Sequence, residues 1–293
     1  VSTEELRIAI LGAGRAGSSL FRALDASGLS PTLWTRRAAT AITARAEGLP
    51  VSWGALPDLS LFDVVFLAVD DAAVGSLASE LAQQPLSSRP LLVHLAGALD
   101  LSPLTPWKDA GGATGSFHPI LSIATRRTPL NGAVALDASP AEAGTPLQMI
   151  AERLGLVIIR PTGDRARYHA GAAIVGNFPQ VLMEAAIRLL SGCGLTQDEV
   201  RAAFGPLLES AAINAVDLGP VEGLTGPAAR GDVETLRRHL GAVAGLPEVD
   251  GLYRAATRIA IELAEARGAG GVEAMEALLL EEDPEKPEKG SAP

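Results

Sequence analysis

Short apolar runs recur through the first half of the chain, each followed by a stretch whose apolar positions return every three or four residues. The runs "LRIAIL" (6–11), "PTLWT" (31–35), "DVVFLAV" (63–69), "PLLVHLAG" (90–97), "GATGSFHPI" (112–120), "GAVALD" (132–137) and "GLVIIRP" (155–161) predict β-strands. Between them, "RAGSSLFRALDAS" (15–27), "AATAITARAEG" (38–48) and "AAVGSLASELAQQ" (72–84) predict helices, with Asp70 or Asp71 placed to cap the third. Strands alternating with helices imply βαβ units and a largely parallel, doubly wound α/β sheet of the Rossmann-like kind.

After Thr162 the strand pattern stops. "GDRARYHAGAAIVGNFPQVLMEAAIRLL" predicts a long helix, kinked at Pro179, and "TQDEVRAAFGPLLESAAINAVDLG" one or two more. "DVETLRRHLGAVAG" and "VDGLYRAATRIAIELAEARG" follow a short glycine-rich loop. The expected organisation is an α/β domain over residues 1–162, an all-helical domain over 163–280, and an acidic tail, 281–293, without an apolar face, which composition reads as disordered. No internal repeat is present.

Composition narrows this picture. Of 293 residues, 47% are apolar, enough for a large aliphatic core, and the net charge of −10 argues against nucleic acid or an anionic membrane as partner. The single cysteine, Cys193, excludes an internal disulfide and any CxxC metal site. Glu4 and Glu5 stand where a signal peptide would be basic, and no apolar run approaches the ~18 residues of a membrane span. A cytoplasmic protein with a small-molecule substrate is the expectation.

The first predicted turn carries chemistry. Gly12, Gly14 and Gly17 stand in G-x-G-x-x-G register between an apolar strand and a helix beginning near Arg15. Gly12 suits the tight turn, Gly14 the approach of a pyrophosphate, and Gly17 close helix–strand packing, while the helix start offers its positive end to phosphate. A site for NAD(H) ends the second strand with an acid; this chain has Thr35, Arg36 and Arg37 there, which favours NADP(H), because a guanidinium pairs with the 2′-phosphate. The candidate cofactor residues are therefore Gly12, Ala13, Gly14, Arg15, Ala16, Gly17, Thr35, Arg36 and Arg37, with Val69, Asp70 and Gly97 from later strand ends.

Four histidines occur, none in metal-ligand spacing, so no metal site is expected. His239 reads as a surface or packing residue and His94 as a core histidine inside a strand. His118 stands at a strand end, where open α/β sheets bind ligands, so ligand contact and a structural role both remain open. His169, Gly176, Asn177 and Gln180 share a polar face of the long helix, which favours His169 and Asn177 as catalytic candidates over one buried hydrogen-bonded pair.

The motifs "GSFHPI", "HAGAAIVGNF" and "GLTGPAARGD" resemble those of a bacterial group in which a Rossmann-like domain precedes domain of unknown function 2520. The resemblance covers nearly the whole chain, and the architecture is similar to pyrroline-5-carboxylate reductase, 6-phosphogluconate dehydrogenase and the NADP–deazaflavin oxidoreductases. It implies an NADP-dependent oxidoreductase that forms a homodimer through the helical domain. Three departures stand out. Ala96 replaces a frequent hydroxyl residue; "AVDD" lacks a proline that commonly precedes the acids; and the only lysines are Lys108, Lys286 and Lys289. No lysine stands in the long helix, so lysine-assisted alcohol oxidation is disfavoured.

Hydride transfer to an imine, already protonated, needs little acid help; a ketone needs a donor such as His118 or His169. NADP–deazaflavin hydride exchange and a non-catalytic NADP(H) sensor are the alternative readings. In "GLTGPAARGD" Asp232 is placed to cap a helix at Val233, whereas Thr225 and Arg230 either hold an anionic substrate group in an interdomain cleft or complete a structural turn.

Overall fold

A computed structural model describes residues 6–280. The predicted acidic tail, 281–293, lies outside the described residues. The chain divides into two compact units, one running to Asn177 and the other starting at Phe178, rather than at the expected boundary of Thr162.

The first unit contains one eight-stranded sheet. Its elements follow as β1 (Ile8–Leu11), α1 (Arg15–Ala26), β2 (Thr32–Thr35), α2 (Ala38–Ala46), β3 (Val51–Trp53), β4 (Val64–Leu67), α3 (Asp71–Ala82), β5 (Leu91–His94), α4 (Thr105–Asp109), β6 (Thr114–Ile120), β7 (Ala133–Ser139), α5 (Thr145–Arg153) and β8 (Val157–Ile159). The strand order is β3-β2-β1-β4-β5-β6-β7-β8. The first six strands in that order are parallel. β7 then pairs with β6 antiparallel, and β8 pairs parallel to β7. The largely parallel, doubly wound sheet is therefore present, with a reversed pair at one edge.

Alternation along β1 shows how the sheet is covered. Ile8 and Ile10 join the apolar cluster with Leu20, Phe21 and Leu24 of α1, while Ala9 and Leu11 join Val74, Leu77 and Leu81 of α3. Successive side chains point to opposite faces, so a strand buried on both sides must be apolar throughout. Trp107 of α4 closes the second face, fully buried, its indole N–H donating to the Pro90 carbonyl at 3.2 Å. β3 was not anticipated: three residues between Pro50 and Gly54 are too short to show a period. Asp70 occupies the N-cap of α3, but its side chain makes no capping hydrogen bond, against expectation.

The second unit is helical. α6 (Arg165–Ser191) begins in the first unit and ends in the second, and α7 (Gln197–Asp217), α8 (Gly219–Gly223), α9 (Val233–Val243), α10 (Pro247–Ala266) and α11 (Val272–Leu280) follow. Pro179 does not interrupt α6, although its ring removes one backbone donor. α11 extends the expected helices and packs Met275 and Leu278 into a small core with Leu236, Leu240 and Ile261. α6 also corrects the membrane reading. It spans 27 residues with a hydropathy of 1.2 in its best window, long and apolar enough to cross a bilayer by length and composition alone. Its burial is inverted: Arg165 is its one buried residue, while Ile174, Val175, Phe178, Val181 and Leu182 are exposed.

Candidate active site

The glycine turn after β1 is built by steric exclusion. Gly12 has φ +128°, and a Cβ there would overlap the Ala68 carbonyl at the end of β4. A Cβ on Gly17 would overlap the Gly12 carbonyl, so α1 lies against the turn only with glycine at that position. Gly14 differs: nothing stands within 4 Å of the space its Cβ would fill. It faces a cavity of about 360 Å³ at the carboxyl ends of β1, β2 and β4, walled by Gly12, Ala13, Gly14, Thr35, Arg36, Arg37, Val69 and Asp70. This is the switch point at which open α/β sheets take ligands. The residues fit a dinucleotide: an unobstructed glycine backbone at a helix start, two arginines beyond β2, and room between them.

Not every candidate lines that cavity. Arg15 and Ala16 lie outside its walls, and Gly17 acts by packing. Three neighbours were missed. The Arg126 guanidinium donates to the Ala13 carbonyl at 3.1 Å and pairs with Glu47, tying the 121–128 loop to the glycine turn. Thr40, in the first turn of α2, joins the wall. Glu80 of α3 lies beside Arg36, both carboxylate oxygens 2.7 Å from one guanidinium nitrogen. The acid missing from the end of β2 is thus supplied in space by α3, at the helical spacing Ala73, Ser76, Leu77, Glu80 that faces the cavity.

A second cavity, about 410 Å³, opens where β6 and β8 meet the start of α6. His118, His169 and Asn177 line it together, with Tyr168, Ile159 and Gly176; Gln180 is not among its walls. His118 and His169 approach edge to face, with ring centroids 5.8 Å apart. The Tyr168 hydroxyl is 2.8 Å from Nδ1 of His118. Gly97, after β5, serves here rather than at the glycine turn, because any Cβ would run into both imidazoles.

Burial holds His118 down to about 4, reinforced by His169, Arg165 and His94, so the imidazole is neutral near neutral pH. Burial likewise raises the Tyr168 hydroxyl, with Arg165 opposing, so the phenol keeps its proton. His94 is fully buried, its Nε2 3.0 Å from the Asp100 carbonyl, and burial lowers its pKa. It is a core histidine, as its position in a strand suggested. No group of three or more His, Cys, Asp or Glu side chains suited to a metal occurs among the described residues.

The loop 224–232 belongs to the second unit. Asp232 caps α9 by accepting from the Thr235 N–H at 3.0 Å, and Gly231, at φ +65°, fits against Gly270, where a Cβ would overlap the carbonyl. The Pro227 carbonyl accepts from the backbone of both Arg230 and Asp232, and Ala228 is buried in the helical core. These contacts account for most of the loop as a turn. Thr225 and Arg230 remain, and with Arg267 they line a cavity of about 400 Å³. His239, exposed, meets the Tyr253 hydroxyl at 2.7 Å.

Residues 133–260, from β7 into α10, match a family model described as a domain of unknown function, DUF2520. "HAGAAIVGNF" and "GLTGPAARGD" fall inside that stretch, and "GSFHPI" precedes it. Among curated proteins none matches the chain. Among solved structures, a candidate NADP oxidoreductase from Bacteroides fragilis is similar at TM-score 0.69 and 24% identity, covering 89% of this chain and 100% of that one. A reductive aminase from Aspergillus terreus, in complex with NADPH and ethyl levulinate, is similar at TM-score 0.59 and 19% identity, covering 93% and 98%. A pyrroline-5-carboxylate reductase from Coxiella burnetii is similar at TM-score 0.56 and 18% identity, covering 89% and 98%. These likenesses establish the fold: a Rossmann-like α/β part followed by helices.

Proposed function

We propose that the chain is an NADP(H)-dependent oxidoreductase that transfers a hydride to or from a small imine or carbonyl compound. The observation that carries this reading is the presence, on one sheet, of a glycine-built dinucleotide cradle and a separate cavity holding His118, His169 and Asn177. The solved relatives lend the substrate class, since two of them are reductases named for C=N chemistry. Arg36 and Arg37 support the phosphorylated cofactor, with the 2′-phosphate taking the place of Glu80 on Arg36.

NADPH, when bound, supplies the hydride; the protein supplies position and protons. His118, held neutral, is a poor acid, and its contact with the Tyr168 hydroxyl fixes the ring's orientation. Proton transfer to the carbonyl oxygen or amine nitrogen then falls to His169, with the Asn177 amide as its polar neighbour in the cavity. Replacing His169 with Ala is expected to lower kcat about 100-fold while NADPH affinity holds. Steady-state kinetics with imines and 2-keto acids check this. Full turnover by the variant removes His169 from the mechanism, and no NADPH oxidation by the wild type across the panel favours a sensor over an enzyme.

The same reading places the protein in the cytoplasm as a homodimer. Val175 of α6 and Val216 of α7 are 78% and 81% exposed, and apolar positions so open to water mark association surfaces. Light scattering is expected to give twice the chain mass; a monomer at micromolar concentration refutes the dimer.

A further inference from the structure

The one buried residue of the 27 in α6 is an arginine. Arg165 is 8% exposed, and Nε and both terminal nitrogens are buried without a hydrogen-bond partner among the described residues. A lysine or histidine in that position could shed its proton; a guanidinium cannot. Among the described residues it lies against the face of Tyr168, 4.9 Å from the ring centroid, which leaves the in-plane N–H donors unanswered; Tyr168 lines the histidine cavity and Arg165 does not. An uncompensated buried charge strongly destabilises a fold unless something meets it.

The surroundings say what kind of partner is missing. His94 and Ser116 stand side by side in the β5–β6 register, and Ser116 and His118 are two apart on β6, so the three share one face of the sheet. The Ser116 hydroxyl is also buried without a partner, as is Nδ1 of His94. The charge of Arg165 acts on His94, His118 and Tyr168 alike. The cluster thus gathers a permanent cation, basic rings and hydroxyls, and no Asp or Glu hydrogen-bonds to the guanidinium among the described residues. Asp71 is the one acid whose charge reaches His94, and it makes no hydrogen bond to the guanidinium, so the N–H donors of Arg165 still lack an anion. A planar fork of N–H donors is complementary to a planar group with two oxygens.

We propose that Arg165, assisted by the Ser116 hydroxyl, is the receptor for a carboxylate on the substrate, which makes that substrate a small organic acid with its C=N or C=O group turned toward His118 and His169. The inference rests on the reductase reading and deepens it. It moves anion recognition from the exposed Arg230, singled out by the sequence, to the one arginine buried beside the imidazoles.

The experiment measures binding and turnover separately. Pyrrole-2-carboxylate, pyruvate, uncharged pyrrole and inorganic phosphate are titrated by calorimetry into the protein saturated with NADP, for wild type, Arg165→Gln, Arg165→Lys and Arg230→Ala. The wild type is expected to bind at least one carboxylate and not pyrrole, with affinity falling about 10- to 100-fold in Arg165→Gln and less in Arg165→Lys. Undiminished binding by Arg165→Gln, binding lost only in Arg230→Ala, no carboxylate bound by the wild type, or tighter binding of phosphate each overturns the proposal. Should Arg165→Gln not fold, Arg165→Lys decides, because it keeps the charge and loses the fork; unchanged affinity there overturns it as well. NADPH oxidation by 1-pyrroline-2-carboxylate and by pyruvate is followed in parallel. Arg165-dependent binding without oxidation leaves the receptor and removes the reductase; oxidation with binding indifferent to Arg165 does the reverse.

Discussion

The two cavities of the sheet-containing unit are close in size, about 360 and 410 Å³, but they are made in different ways. The cavity at the glycine turn is shaped by what is missing: three glycines within six residues leave a turn that backbone atoms fill, and Gly14 opens onto free space. Arg36 in its wall is paired with Glu80, and Arg126 beside the turn with Glu47. The histidine cavity is shaped by side chains from three separate segments, and one of them, Tyr168, is stacked on the Arg165 guanidinium, whose N–H donors have no hydrogen-bond partner among the described residues. A cavity with paired charges waits for a ligand that can exchange partners. One next to an orphaned cation favours a ligand that brings the opposite charge.

Three substitutions or conditions probe that contrast. The largest effect is expected at Gly12→Ala, where a left-handed backbone and overlap with the Ala68 carbonyl combine. Loss of cofactor binding is expected, with destabilisation of roughly 3–5 kcal/mol, read from denaturant midpoints. Retained NADPH binding would show that the turn relaxes and that its shape is not set by exclusion.

The histidine cavity should instead respond to pH. Below the ordinary value of 6.5 an unfolded chain takes up a proton at residue 118 that the folded chain refuses until about 4. Stability from this source is complete above 6.5 and declines as pH falls from there toward 4, by on the order of 3 kcal/mol. Urea midpoints between pH 7.5 and 4.5 should fall accordingly. His118→Gln should flatten the slope in part, since His94 is lowered in the same direction. An unchanged slope in that variant would mean His118 is not held neutral by its surroundings.

The smallest effect belongs to Glu80→Gln. The Arg36 pair is more than half exposed, so breaking it changes stability little. It frees Arg36, and preference for NADPH over NADH is expected to rise about two- to five-fold. A fall in that ratio would place the 2′-phosphate away from Arg36.

What the sequence revealed follows the same division. Gly12, Gly14 and Gly17 were legible because their constraint is local: the spacing is the structure. The His118 strand end and the His169–Asn177 face were legible as separate candidates, and the structure brings all three to one cavity. The reversal of β7 was not legible, because strand direction is decided by pairing and leaves no period in the sequence. Arg165 was missed because "GDRARYHA" looks like a solvated helix start, with Arg167, which is exposed, two positions on. The available signal was its spacing, three and four residues before Tyr168 and His169, which puts all three on one face. Glu80 was missed for a related reason: it is remote in sequence from the strand end whose acid it replaces.

The length of β8 sets the reach of the whole constellation. Reading across the sheet, His118 of β6 stands opposite Ala135 of β7, and Ala135 opposite Ile159, the last residue of β8. β8 stops there after three residues, although its neighbour runs for seven. Four further residues, at roughly 3.3 Å each, would carry the chain about 13 Å toward the far edge before α6 could begin. The early stop acts as a ruler. It releases the chain level with His118, six residues before Arg165, so that the start of α6 brings guanidinium, phenol and imidazole together on one face.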